Sequence, residues 1–201
     1  MRGVVAITAH GSGEYLYRHP ELREIARQSK LAIFKFLGDP VQRGFWPRSL
    51  LFERLREMGT KAKHPEIENG PLFLYGHSNG TGFSAVFAAQ ESARVWAFVS
   101  MRPGTTLQVW QPEAAQVPGL VIFGEDDPFF AKPSQTENIA VVQRMRKEQG
   151  TLRNYALEPK TGHGPTPKTW PLVMSFLRHT FAAQRAERSR RAARPAETDE
   201  A

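Results

Sequence analysis

Six short runs, most of them almost uninterrupted and apolar, are spaced along the chain and restrict its fold more than any other feature. They are residues 3–9 (GVVAITA), 31–37 (LAIFKFL), 72–76 (LFLYG), 95–100 (VWAFVS), 120–124 (LVIFG) and 152–157 (LRNYAL). A strand that is apolar throughout must be covered on both faces, which is the environment of a parallel sheet. The stretches between them carry helical periodicity over residues 21–29, 49–59, 80–91, 134–148 and 168–188. Ser134-Gln135-Thr136-Glu137 has the capping-box form that opens a helix. Strands alternating with helices predict a three-layer α/β/α sandwich around a mostly parallel sheet of about six strands.

The chain has 201 residues, 40% of them hydrophobic, enough for one globular domain with a real core. We place that domain at residues 1–183, followed by a charged tail at 184–201 that is expected to be disordered. No apolar run is long enough to span a membrane. The opening residues lack the pattern of a secretory signal, so a soluble, cytoplasmic protein is expected. There are no cysteines, which excludes disulfides, thiolate metal sites and cysteine nucleophiles.

A formal charge of +7 raises the question of nucleic acid. The arginine-rich tail holds five arginines and four acids and so nets only +1, while the remaining positive charge is scattered along the chain. Without a compact basic block, a solvated surface is the better reading than a nucleic-acid interface.

In α/β sheets, functional residues gather beyond the carboxyl ends of the strands. The third run ends in Gly76-His77-Ser78-Asn79-Gly80, a G-x-S-x-G pattern followed directly by a helix. A serine hydroxyl becomes a nucleophile only when a base can reach it, so it must project clear of the sheet, and the flanking glycines relieve crowding in so tight a turn. By itself the pattern is weak: a chain of this composition produces it by chance about one time in sixteen.

Its weight comes from partners at other strand ends. After Ser78 there are two histidines. His179 falls inside a helical pattern, whereas His163 lies in a glycine-flanked loop, Gly162-His163-Gly164, beyond the last strand. Among the later acids, Glu91, Glu137 and Glu148 fall on helices, and Glu113 has no strand leading into it. Glu158 is too close in sequence to His163 to bridge from another strand. Glu125-Asp126-Asp127, directly after LVIFG, is the remaining choice. A serine, an imidazole and a carboxylate, each at its own strand end, make up the machinery of acyl transfer.

These residues resemble the α/β-hydrolase family, in particular its esterase and dienelactone-hydrolase-like members, over residues 3 to about 180. The likeness rests on His10-Gly11 after the first strand, the G-x-S-x-G elbow, Gly124-x-x-Asp127 followed by Pro128, and Gly162-His163-Gly164. The resemblance implies a catalytic triad of Ser78, Asp127 and His163, its G-x-x-D spacing favouring Asp127 over Asp126. It also implies an oxyanion hole from the amide of Asn79 and one in the loop after the first strand, for which Ser12 is the choice; His10 is expected to pack within that loop. No metal or organic cofactor is implied.

One departure concerns the start of the chain. Family members usually begin with an antiparallel pair of strands before the His-Gly strand, and this chain starts almost directly on that strand: either the true start lies upstream or the fold is a reduced version without that pair. The second run would then be an apolar edge strand, a surface on which two copies could pair into a homo-oligomer. The segments 13–20 and 101–119 are short, so no lid is expected. Tyr15, Tyr17, Met101, Trp110, Phe129 and Phe130 are the candidates to line a cleft for an apolar or aromatic substrate, and Arg102 is placed to meet an anionic one.

The predicted function is a serine hydrolase, of carboxylesterase type, acting on a small-molecule ester or thioester. A non-catalytic binding protein on the same fold is the alternative, and a basic nucleic-acid-associated protein a more distant one.

Overall fold

A computed structural model of the chain describes residues 1–8, 11–36, 48–103, 114–129 and 133–193. Six strands are seen: β1 (Gly3–Thr8), β2 (Leu31–Lys35), β3 (Leu72–His77), β4 (Val95–Met101), β5 (Gly119–Gly124) and β6 (Arg153–Glu158). They form one sheet in the order β2-β1-β3-β4-β5-β6, and every adjacent pair is parallel. Each of the six apolar runs is a strand, with ends within two residues of those read from the sequence. Among the described residues β2 is an edge of the sheet, as expected for the second run if no strand pair precedes the first; residues 37–47 lie outside the described ones.

The helices are α1 (Gly11–Arg18), α2 (Pro20–Ser29), α3 (Arg48–Ala62), the single turn α4 (Glu66–Asn69), α5 (Thr81–Gln90), α6 (Pro133–Gln149) and α7 (Thr169–Ala193). Alternation along each strand divides the core into two clusters. Val4, Ala6, Leu72 and Leu74 face Leu51 and Leu55 of α3, Phe83 and Phe87 of α5, and Val142 of α6. Their neighbours Val5, Ile7, Phe73 and Tyr75 face the opposite way, onto Leu16 of α1, Leu22 and Ile25 of α2, and Val173, Met174 and Leu177 of α7. A period of two in a strand apolar at every position thus builds two cores instead of one.

The helices also differ from expectation in places. Residues 11–18, read as a loop, form α1, with Leu16 buried in the sheet-facing core. α6 begins at Pro133, so Ser134 lies inside the first turn and not at the cap. Proline is at home there, because the amide it lacks would have no intrahelical partner. α7 continues to Ala193, which carries the arginine-rich segment ten residues past 183 as helix. After Phe181 its described residues include no buried one, so this extension is not part of the core.

The chain starts in the interior of the sheet, moves out to β2, and returns past β1 to β3. The carboxyl ends of β1 and β3 are therefore the point at which the strand order reverses, where crevices form in open α/β sheets. In register, Thr8 of β1 pairs with Gly76 of β3, and Gly76 with Ser100 of β4.

Candidate active site

The turn after β3 is shaped by contact with β1. Ser78 has φ of 57°, a left-handed conformation that non-glycine residues adopt only at a cost. A Cβ on Gly76 would stand 2.2 Å from the Gly80 carbonyl oxygen, and one on Gly80 would stand 2.3 Å from the Thr8 carbonyl oxygen. Both glycines are therefore required by steric exclusion. Thr8 Oγ1 donates to the Tyr75 carbonyl at 3.2 Å, and Thr81 Oγ1 to the Ser78 carbonyl at 2.6 Å. The hydroxyl of Ser84 closes the base of the elbow against Ser100 at 2.9 Å. The result is a partly exposed Ser78 on a rigid mount, with Asn79 exposed beside it.

The acid and the imidazole meet two strands away. His163 Nδ1 lies 2.9 Å from Asp127 Oδ2, and the Phe129 amide donates to Asp127 Oδ1 at 2.9 Å. The Asp127 side chain is 5% exposed against 28% for His163, so a shielded carboxylate backs a solvent-reaching ring. Asp126 is exposed, and its amide donates to the Thr161 carbonyl at 2.9 Å. Of the two aspartates, Asp127 is the one brought to the imidazole. A Cβ on Gly124 would meet the Gly162 and Thr161 carbonyl oxygens at 2.5 Å, so the acid turn and the histidine loop need a glycine to approach.

Two further contacts join this pair to the elbow. His77 Nε2 lies 2.9 Å from the His163 carbonyl oxygen, and the two imidazole rings are 5.0 Å apart. Phe129, 39% exposed, sits with its ring centroid 4.9 Å from that of His163. The carboxylate–imidazole hydrogen bond is formed, while no hydrogen bond joins Ser78 Oγ to His163 Nε2.

The other predicted site residues separate. Ser12 is the second residue of α1, where the first backbone amides of a helix have no intrahelical acceptor; its side chain, His10, Trp110 and Phe130 lie outside the described residues. Tyr15 is 69% exposed and lines a cavity of about 610 Å³ with Glu14, Arg18, His19, Pro20 and Trp170. That cavity does not include Ser78 or His163. Tyr17 is half-buried with Arg23 stacked 5.5 Å over its ring.

Two predictions are corrected. Met101 does not line a cleft: it is the fully buried last residue of β4, with Tyr75 Oη donating to its sulfur at 3.2 Å. Arg102 does not face an anionic substrate. Its side chain is 0% exposed and pairs with Glu158, the acid set aside in the sequence, which also accepts from Thr169 Oγ1 at 2.9 Å. A guanidinium at a strand end can turn inward along the sheet edge as readily as outward, and periodicity does not distinguish the two.

Among the described residues, no three His, Asp or Glu side chains cluster as metal ligands would, and no helix is long and apolar enough to cross a membrane.

No family model and no curated protein matches the chain. Solved structures do. A carboxylesterase of the thaumarchaeon Nitrososphaera gargenis shares 12% identity over 90% of this chain and 92% of that one, with a TM-score of 0.57. The esterase of Pyrobaculum calidifontis shares 15% over 91% and 77%, with a TM-score of 0.58. A predicted CIB-like hydrolase of Thermoplasma acidophilum shares 12% over 89% and 87%, also with 0.58. At these identities the likeness is one of architecture, and together with the all-parallel sheet, its strand order and the turn after β3 it shows that this chain has the α/β-hydrolase fold.

Proposed function

We propose that the chain is a serine hydrolase that cleaves a carboxylic ester or thioester through Ser78, His163 and Asp127. The observation that carries this reading is the His163–Asp127 hydrogen bond of 2.9 Å, set beside a serine held in a left-handed turn. An imidazole that donates from Nδ1 to a carboxylate presents Nε2 as an acceptor, which is the tautomer a base for Ser78 needs. The buried Asp127 then stabilises the imidazolium that forms when the proton arrives. Catalytic hydrogen bonds are commonly long before substrate binds, so the lack of a Ser78–His163 hydrogen bond is compatible with this role.

In the reaction, Ser78 Oγ attacks the carbonyl carbon as His163 Nε2 takes its proton. The oxyanion is held by the amides of Asn79 and Ser12, each worth on the order of 10²–10³ in rate. The intermediate collapses, His163 returns the proton to the leaving alcohol or thiol, and water releases the acyl group by the same route. Phe129, its ring tilted against that of His163 and partly exposed, contributes apolar surface beside the reacting groups. Esterase activity among the solved structures of this fold is consistent with the reading.

The experiment is the Ser78→Ala variant. It is expected to lose hydrolysis of a short p-nitrophenyl ester, and labelling by a fluorophosphonate probe, while keeping its thermal transition. Retained turnover in that variant would remove Ser78 from the mechanism. An unlabelled, inactive wild type would favour the non-catalytic binding protein.

A further inference from the structure

Arg102 connects three segments that have no neighbours in sequence. It follows β4, with φ of 49°, and its amide donates to the Ile122 carbonyl of β5 at 2.7 Å. Its side chain then crosses the end of β5. A Cβ on Gly124 would lie 2.9 Å from Arg102 Nε, so the guanidinium runs directly over the residue that opens the acid turn. Beyond it, Nε donates to the Gly162 carbonyl at 2.9 Å, and Nη2 donates to Glu158 and to Thr161 Oγ1 at 3.1 Å. Gly162 immediately precedes His163.

This is a poor device for stability. Both side chains of the ion pair are withdrawn from water, at 0% and 10% exposure, and the loss of hydration of two charges opposes their attraction. The pair is also incompletely satisfied, since Arg102 Nη1 and Glu158 Oε1 have no hydrogen-bond partner. What the arrangement does supply is geometry. A planar fork spans a carboxylate, a hydroxyl and a carbonyl from two nitrogens held in fixed directions, whereas an ammonium offers all its donors from one freely rotating nitrogen. Its acceptors all lie at residues 158–162, the segment that carries His163 to Asp127.

From these contacts we infer that Arg102 is a positioning residue: through Glu158, Thr161 and the Gly162 carbonyl it sets the distance between the His163 imidazole and the Asp127 carboxylate. The inference rests on the proposed hydrolase reading for its effect on rate, but the placement of His163 can be observed without any substrate. A displacement of about 1 Å in such a group is worth on the order of 10²-fold in rate.

The test compares wild type, Arg102→Lys, and the double variant Arg102→Met with Glu158→Gln, which removes both charges so that neither is left buried alone. Two readouts are taken: kcat and KM on a p-nitrophenyl ester, and the low-field proton resonance of a His163 Nδ1–H bonded to Asp127. In the double variant, with its cooperative thermal transition retained, kcat is expected to fall about tenfold or more with KM within about twofold. The low-field resonance is expected to broaden or vanish. Arg102→Lys keeps a positive charge beside Glu158 but loses the bond from Nε, and should show the same split; it carries the test if the double variant does not fold. Wild-type kcat together with an unchanged resonance in a folded variant would overturn the inference. If wild type proves inactive and unlabelled, the hydrolase reading fails by itself, and the resonance alone still decides whether Arg102 places His163.

Discussion

Gly80 lies so close to Thr8 that a single methyl group on its Cα would stand 2.3 Å from the Thr8 carbonyl oxygen. The nucleophile turn is therefore seated against the first strand, and Gly80→Ala must displace backbone on one side or the other. Such overpacking is expected to cost about 2 kcal/mol or more in chemical denaturation, and most of the esterase activity. Gly164→Ala, where a Cβ would meet nothing within 4 Å, is the control, with a stability change within about 0.5 kcal/mol. Equal losses in the two variants would refute the steric argument.

Asp127→Asn preserves shape but removes the charge opposite His163 and lets the imidazole adopt the other tautomer. Ester hydrolysis is expected to fall on the order of 10³–10⁴-fold with the circular dichroism spectrum unchanged. Asp126→Asn, on an exposed side chain, should stay within about twofold of wild type under the same assay. A large loss from Asp126 with little from Asp127 would transfer the role to the neighbouring carboxylate.

Arg153 is buried at the start of β6, with its guanidinium 5.2 Å over the Phe98 ring. Burial pulls its pKa down to about 10, below the ordinary arginine value that holds in the unfolded chain. A cation with a lowered folded pKa destabilises the fold wherever it is charged in both states, so the penalty is fully present at neutral pH and is relieved only as pH rises past about 10. Arg153→Met is thus expected to match or exceed wild-type stability at pH 7, by up to about 3 kcal/mol. The gap should narrow in denaturation measured above pH 10. A variant less stable than wild type by more than about 2 kcal/mol would show that the guanidinium's contacts outweigh its burial.

Helix α7 combines a core segment and a solvated extension. Phe181 is 4% exposed and packs 5.5 Å from the Trp96 ring, so Phe181→Ala should cost about 3–5 kcal/mol. Deleting residues 185–201, which include no buried residue among those described, should change stability by less than about 1 kcal/mol and leave hydrolysis intact. A strongly destabilised deletion would place the boundary of the folded unit further along the helix.

Much of the architecture was legible in the sequence because burial on both faces demands residues that are apolar at every position. β1, β3, β4 and β5 are buried throughout and read as unbroken apolar runs. The elbow was legible for a related reason: glycines two residues either side of a serine answer a local steric demand. α1 was missed because its short run Gly11–Arg18 starts with Gly-Ser-Gly and carries, among its described side chains, a single fully buried one, Leu16. Loop chemistry dominates so short a helix, and tertiary contact with the sheet is what forms it.

By itself, then, the sequence determined the alternation of strands and helices, the parallel sheet and the turn that raises Ser78, since each follows from local burial or local sterics. Only the tertiary structure decided which aspartate reaches His163, that Met101 belongs to the core, and that Arg102 turns inward to Glu158, 56 residues away. Those outcomes depend on the register that sets Met101 of β4 opposite Ile122 of β5 and brings the ends of β5 and β6 level at Gly124 and Glu158. In strands that are apolar on both faces, a one-residue slip exchanges one apolar side chain for another, so the pattern along the sequence specifies register only weakly.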